Sequence, residues 1–150
     1  MATDPSIIVK DLLVAEGVGD YDGIVTGDET GWHVFIGHEP TDPAACITIY
    51  ASGGATASPK FLLDFPSVQI RVRGEMGGYE SARDKMMQIR DVLLGRDTYY
   101  HSSGDVVDMI NLMSDIIQLP TNETGQPLFV VNFQLTVEPA PSPGSNREPL

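Results

Sequence analysis

The stretch that decides the fold is Val68-Gln69-Ile70-Arg71-Val72-Arg73. Apolar and polar residues alternate along it, so the apolar side chains share one face of a strand and the polar ones share the other. The chain then changes to a spacing of three and four residues, which predicts a helix that begins near Tyr79 and ends at Gly95. The apolar positions of that helix are Tyr79, Ala82, Met86, Ile89 and Leu93. A half-buried strand followed by an amphipathic helix predicts a sheet that is covered by helices.

The flanking sequence extends this pattern in both directions. Asp4 and Pro5 have the chemistry of a helix start, and Gly17 ends the apolar repeat that follows them. Strands are predicted at 32–36, 46–50, 98–101, 109–119 and 128–137, with a loop at 53–59 and a turn at 122–127. This order predicts a single α+β domain over residues 1–138, with a mixed, mainly antiparallel sheet and two main helices packed on one side.

The last twelve residues have a different composition from the rest of the chain. Residues 139–150 contain prolines at 139, 141 and 143 and then polar residues. Such a segment cannot bury enough apolar surface to order itself alone. We therefore expect a flexible, proline-rich C-terminal tail.

The charge of the chain argues against tight binding of nucleic acid. The sequence has 21 acidic and nine basic residues, a net charge of -12. Proteins that bind nucleic acid present a basic face, because phosphate contacts supply most of the affinity. Cys46 is the only cysteine, so an intrachain disulfide is impossible. We also expect no signal peptide and no membrane association, and therefore synthesis in the cytoplasm, because no apolar stretch has the necessary length or flanks.

The motifs of common enzymes and ligand sites fail on particular residues. A dinucleotide fingerprint that begins at Gly17 would need glycine where Asp22 stands, and a phosphate loop over 53–60 would need lysine where Pro59 stands. The acidic loop over 17–31 lacks the glycine and glutamate of an EF-hand. The three histidines, at positions 33, 38 and 101, lack the spacing of a metal pair. We expect no catalytic residues, no bound cofactor and no metal.

Two groups of residues are candidates for contacts between molecules. The first group is Gln69, Arg71, Arg73 and Tyr79. Its arginines either cover the wet face of the sheet or pair with carboxylates of a neighbouring subunit. The second group, in the loop over 17–31, is Asp20, Asp22, Asp28 and Glu29. This acidic loop is either simply solvated, or it lines a channel or meets a partner.

Four stretches together carry a resemblance to a known family. They are 66–74, 78–82, the end of the second helix at 93–95, and the turn at 122–127 with the strand that follows it. The chain resembles, over residues 5–138, the tail-terminator and minor capsid proteins of long-tailed phages. One position departs from that pattern, because Gln126 stands where family members often have arginine.

The resemblance implies a structural role in the virion. It implies a ring of copies of this chain, a hexamer, that caps the tail tube, stops its polymerisation and joins the tail to the head connector. The expected partners are other copies, the tube protein and the connector protein. Genomic DNA would pass the bore without specific binding, since an acidic lining repels phosphate. The expected location is the tail and neck of the virion, after assembly in the host cytoplasm.

The sequence leaves two alternatives open. The first is a head-completion, connector or minor capsid subunit with the same fold, which would not cap tubes. The second is a small ligand-binding or enzyme domain, which would need a deep pocket with convergent titratable groups.

Overall fold

The computed structural model describes residues 3–20, 32–41 and 44–150. It contains two helices, α1 (Pro5–Ala15) and α2 (Tyr79–Leu93). Its strands are β1 (His33–Ile36), β2 (Cys46–Ala55), β3 (Phe65–Arg73), β4 (Tyr99–Tyr100), β5 (Val106–Leu119) and β6 (Leu128–Glu138). They form one six-stranded sheet in the order β1-β2-β3-β6-β5-β4. Among these strands of the described residues, only the pair β1 and β2 is parallel, so the predicted mixed, mainly antiparallel sheet is confirmed.

The register of the central strands aligns their apolar residues on one face. Ile70 of β3 lies opposite Ile49 of β2 on one side and Val131 of β6 on the other. Helices α1 and α2 cover this face, as the sequence predicted, and their apolar residues join the same buried cluster. The helical members of this core are Ile8, Val9, Leu12, Leu13, Ala82, Met86, Ile89 and Leu93.

Both helices begin and end close to the predicted positions. Asp4 caps α1, because its Oδ1 accepts a hydrogen bond of 2.9 Å from the backbone N–H of Ser6. That bond satisfies one of the amides that a helix start leaves unpaired. Gly95 has a φ of 69°, the left-handed conformation that glycine adopts most easily after a helix. No helix among the described residues is long and apolar enough to cross a membrane.

The hairpin of β2 and β3 is longer than the sequence indicated. The predicted loop at 53–59 is wrong for its first residues, because β2 continues to Ala55, which lies opposite Phe65. A shift of register between Ala51 and Gly54 separates this outer part from the rest of the strand. The outer part contains only small residues, so it has no alternation of apolar and polar positions from which a strand could be predicted.

Gly54 is the position where the hairpin most needs glycine. Its φ is +113°, and a Cβ built there would lie 2.1 Å from the carbonyl oxygen of Phe65 on the partner strand. The neighbouring Gly53 has a φ of +88°, but a Cβ there would have no atom within 4 Å. The two glycines therefore share a backbone requirement, and only Gly54 also has a steric one.

We expect Gly53→Ala to lower the free energy of unfolding by about 1–3 kcal/mol, the usual cost of a non-glycine residue at such a φ. Gly54→Ala should cost clearly more, because the new methyl group must also push β3 away from β2. Urea unfolding, followed by the fluorescence of Trp32, measures both. Equal losses in the two variants would contradict this view of the hairpin.

Candidate functional site

His101 lies between an aspartate and a serine, the order found in serine hydrolases. Its Nε2 is 2.6 Å from Oδ2 of Asp11, and its Nδ1 is 2.7 Å from Oγ of Ser103. The serine, however, is folded onto its own turn, since its N–H donates to Nδ1 of His101 and its Oγ accepts from the N–H of Asp105. The three side chains thus close the turn between β4 and β5 and fasten it to α1. This geometry supports the hairpin and does not present a free nucleophile.

Asp105, the residue before β5, ties Thr3 and Ala140 to the sheet. The residue is 1% exposed. Its Oδ2 accepts the N–H of Thr3 at 2.8 Å, and its Oδ1 accepts the N–H of Ala140 at 2.7 Å. Burial acts to raise the pKa of Asp105, but hydrogen bonds from the two amides and the nearby His101 outweigh it, so the pKa lies below its ordinary value. The ionised form is therefore the one that the fold stabilises.

Two of the predicted interface residues, Arg71 and Arg73, bind one carboxylate of their own chain. Glu39 approaches Nη2 of Arg71 at 3.6 Å and Nη1 of Arg73 at 3.7 Å. Arg73 is only 7% exposed and also donates from Nε to the carbonyl of Ala44 at 2.9 Å. These contacts hold Glu39 and Ala44, between β1 and β2, against the sheet face opposite the helices. Gln69 shares that face, because it lies two residues before Arg71 on β3.

The fourth predicted interface residue lies elsewhere. Tyr79 begins α2 and packs against Phe129, with 5.4 Å between the ring centroids. Phe129 lies opposite Val72, on the helix side of the sheet. The structure therefore separates Tyr79 from Gln69, Arg71 and Arg73. The role of all four at a subunit interface stays a prediction.

Of the four acidic candidates in the loop over 17–31, only Asp20 falls on described residues. Its N–H donates to the carbonyl of Trp32, and its own carbonyl accepts the N–H of Val34, both at 2.9 Å. Asp20 thus adds one parallel bridge, to His33, on the outer edge of β1. Asp22, Asp28 and Glu29 lie outside the described residues.

β5 forms an open edge of the sheet. One side of β5 pairs with β6 as far as Leu119, whereas β4 pairs with the other side only at Val106 and Val107. The carbonyl of Ile110 accepts the N–H of Gly95. From Asn111 to Leu119, this outer side has no partner strand among the described residues. An open edge of this kind readily pairs with another chain.

Exposed apolar side chains accompany this open edge. Met109 is 50% exposed, Met113 57% and Ile117 50%. Ile117 lies opposite Val130, a neighbour of Arg71, so it belongs to the sheet face that the helices leave uncovered. Large apolar side chains grouped on an edge strand are typical of a surface that another protein covers.

The C-terminal tail contacts the domain at two places. Its base is held at Asp105 through Ala140, and residues 147–148 bind to the segment 60–64. The division of the chain at residue 138 and the flexibility of the tail remain predictions.

The turn before β6 is closed by a side-chain pair. Oδ1 of Asn122 accepts the N–H of Gln126 at 2.9 Å, and Nδ2 of Asn122 donates to Oε1 of Gln126 at 2.7 Å. Gln126, the residue that departs from the family pattern, thus has a local structural role in this chain.

Two of these features were not predicted from the sequence: the exposed apolar residues of β5 and the buried Asp105. Met109, Met113 and Ile117 are four residues apart, and even spacing places residues on one face of a strand. This spacing is visible in the sequence, so the apolar group could have been predicted. Asp105 has no comparable signal, because a single aspartate before a strand looks the same whether it is buried or solvated.

Comparisons with known proteins point to one family. The sequence pattern of a family described as "Bacteriophage tail terminator protein" matches residues 12–139. No curated protein matches the chain. One similar solved structure has 14% sequence identity and a TM-score of 0.46, and the match covers 73% of this chain and 81% of that one.

We expect Asp105→Asn to lower the free energy of unfolding at pH 7 by about 1.5–3 kcal/mol, the range for hydrogen bonds to a charged group. Because the folded pKa of Asp105 is lowered, its stabilising effect is complete above the ordinary aspartate pKa and is lost as the pH falls through the folded pKa. The difference in the free energy of unfolding between the native protein and Asp105→Asn should therefore become smaller below about pH 4. Urea unfolding at several pH values measures this difference.

Asp97→Asn, at an exposed position, is the matched control and should change little at any pH. A gap for Asp105→Asn that stays constant down to pH 2 would contradict the assignment of a charged, buried tether.

Proposed function

Since the chain belongs to the bacteriophage tail terminator family and is thus a structural protein of the phage tail, we propose that it assembles into a ring, a hexamer, that caps the tail tube. The ring stops tube polymerisation and presents its other surface to the head connector. The proposed partners are further copies of the chain, the tube protein and the connector protein, brought together in the host cytoplasm.

The open edge of β5 is the observation that supports ring formation. A closed ring needs a contact between two different surfaces, repeated around an axis. Between Asn111 and Leu119, backbone groups on the side away from β6 can bond to a neighbour, except the N–H of Ile116, which donates to Oδ1 of Asp115. Met109, Met113 and Ile117 can lose water in the same contact. These hydrogen bonds and this apolar burial both favour association, and neither contributes to the stability of the isolated subunit.

The polar face of β3 is the proposed partner surface for that edge. Gln69 is partly buried and Arg71 is 28% exposed, so both can reach a neighbouring molecule. Arg73 is almost fully buried, and we assign it the role of supporting the loop that carries Glu39. Tyr79, on the other side of the sheet, would meet a different partner or a different part of the neighbour.

The charge of the chain suits a channel for DNA. Each copy contributes a net charge of -12, and a ring concentrates that charge around its axis. We propose that Asp20, Asp22, Asp28 and Glu29 line the bore. Carboxylates there would repel phosphates, so DNA would slide through without being held. We also propose that the loop over 17–31 or the C-terminal tail contacts the tube or the connector.

The test is assembly of purified tail tube protein with and without this chain. The chain should shorten the tubes and appear as a ring at one end in electron micrographs. Ile117→Asp and Met113→Asp should prevent ring formation, because an interface that buries either side chain would have to desolvate a charge. We expect at least about a tenfold weaker association, measured by native mass and tube length.

Val14→Asp is the matched control, since Val14 is an exposed valine on α1, away from β5. It should leave both rings and tubes unchanged. Rings that survive Ile117→Asp would contradict the proposed interface. Rings that bind the connector but leave tube length unchanged would instead favour a head-completion subunit.

A further inference from the structure

The end of the chain adds a short strand to its own domain. The N–H of Leu62 donates to the carbonyl of Glu148, and the N–H of Glu148 donates to the carbonyl of Lys60, both at 2.7 Å. Phe61 and Glu148 are thereby paired as in a parallel sheet. We call residues 146–150 the tail strand and residues 60–64 the acceptor segment. The acceptor segment is itself joined to β6, through the pair Asp64 and Val137.

Arg147 holds the tail strand in place. Its Nε and Nη2 donate to the carbonyl of Phe61 at 2.9 and 2.6 Å, and Nη2 also donates to the carbonyl of Leu63 at 3.0 Å. The same nitrogen lies 2.8 Å from Oδ1 of Asp64. One guanidinium therefore binds two carbonyls and a carboxylate of the acceptor segment, a set of contacts that lysine could not reproduce.

Apolar packing contributes little to this attachment. A cavity of about 190 Å³ remains at the tail, lined by Leu62 and Val106 of the domain and by Pro149 and Leu150 of the tail strand, among others. Leu150 is 67% exposed. The attachment therefore rests mainly on hydrogen bonds and charge, which a second molecule with the same residues could supply equally well.

The segment that connects the tail strand to the domain can be either bent or extended. Ala140 is fixed to Asp105, and the chain then reverses through a turn in which the N–H of Ser145 donates to the carbonyl of Ser142. Prolines at 139 and 141 favour an extended chain, whereas Pro143 and Gly144, with a φ of 85° at Gly144, suit the central positions of this turn. If the turn opened, the seven steps along the chain from Ala140 to Arg147 would span about 22 Å.

We propose that neighbouring copies of this chain exchange their tail strands, so that the acceptor segment of one copy holds the tail strand of the next. The inference rests on the proposed ring and adds to it. Exchange preserves each contact made by Arg147 and Glu148, requires only that the turn at 142–145 open, and connects the subunits through their own chains. The partner surface is thus the acceptor segment, and its occupant is the C-terminus of a second copy.

The test uses two full-length single variants, Phe61→Cys and Glu148→Cys. Paired residues on adjacent strands are about 4.8 Å apart, a distance that a disulfide can bridge. Neither variant can form this bond within one chain, and the native Cys46 is buried. After assembly of the mixed variants and mild oxidation by glutathione disulfide, mass spectrometry should find the bond between residues 61 and 148 of different copies.

Two controls, Ser102→Cys and Arg83→Ala, and one further variant, Arg147→Ala, define the result. Phe61→Cys mixed with Ser102→Cys, an exposed position in the turn after β4, measures random collision. Adding Arg147→Ala to the Glu148→Cys chain should lower the yield of the interchain bond about tenfold, because the charged hydrogen bonds are lost. Arg83→Ala, on the exposed side of α2, should leave the yield unchanged.

A mixture that gives no more product than the Ser102→Cys control overturns the exchange, whether or not rings are present. Native mass of the same sample reports separately on the ring. Rings without the interchain bond would therefore refute the exchange and leave the proposed function in place.

Discussion

The strands β2, β3 and β6 each bury one face against the helices α1 and α2, and the positions of the other features follow from this one-sided burial. The register that aligns Ile49, Ile70 and Val131 fixes which side chains reach the core. A slip of one residue on any of these strands would move its apolar residues to the opposite face. The polar residues of β3 are consequently held on the uncovered face, where Glu39 binds both arginines.

One-sided burial also explains why part of the sheet remains uncovered. The helices cover one face of the sheet, and β4 is too short to cover the edge of β5. The exposed amides and apolar side chains of that edge would be a liability in a protein that acts alone. In the proposed ring, they would be contacts with the neighbouring subunit. We propose that the net charge of -12 keeps free subunits apart in solution until such specific contacts outweigh the repulsion.

The sequence predicted the features that repeat at regular spacing or involve neighbouring residues. Alternation identified β3 and β6, the spacing of three and four identified α2, and Asp4 with Pro5 identified the start of α1. Features that depend on distant partners could not be predicted. Asp105 binds residues 102 positions before it and 35 after it, and Arg147 binds carbonyls more than eighty positions away. The family resemblance was confirmed, although the interface residues proposed with it remain untested.

Hydrogen–deuterium exchange of the amides between Asn111 and Leu119 tests the central claim most directly, because it compares the open edge of β5 in the free subunit and in the ring on the tube. The outward-pointing amides should exchange rapidly in the free subunit and slowly in the assembled ring, while the amides bonded to β6 stay protected in both. Equal exchange of the outward amides before and after assembly would contradict the claim that the ring closes through this edge.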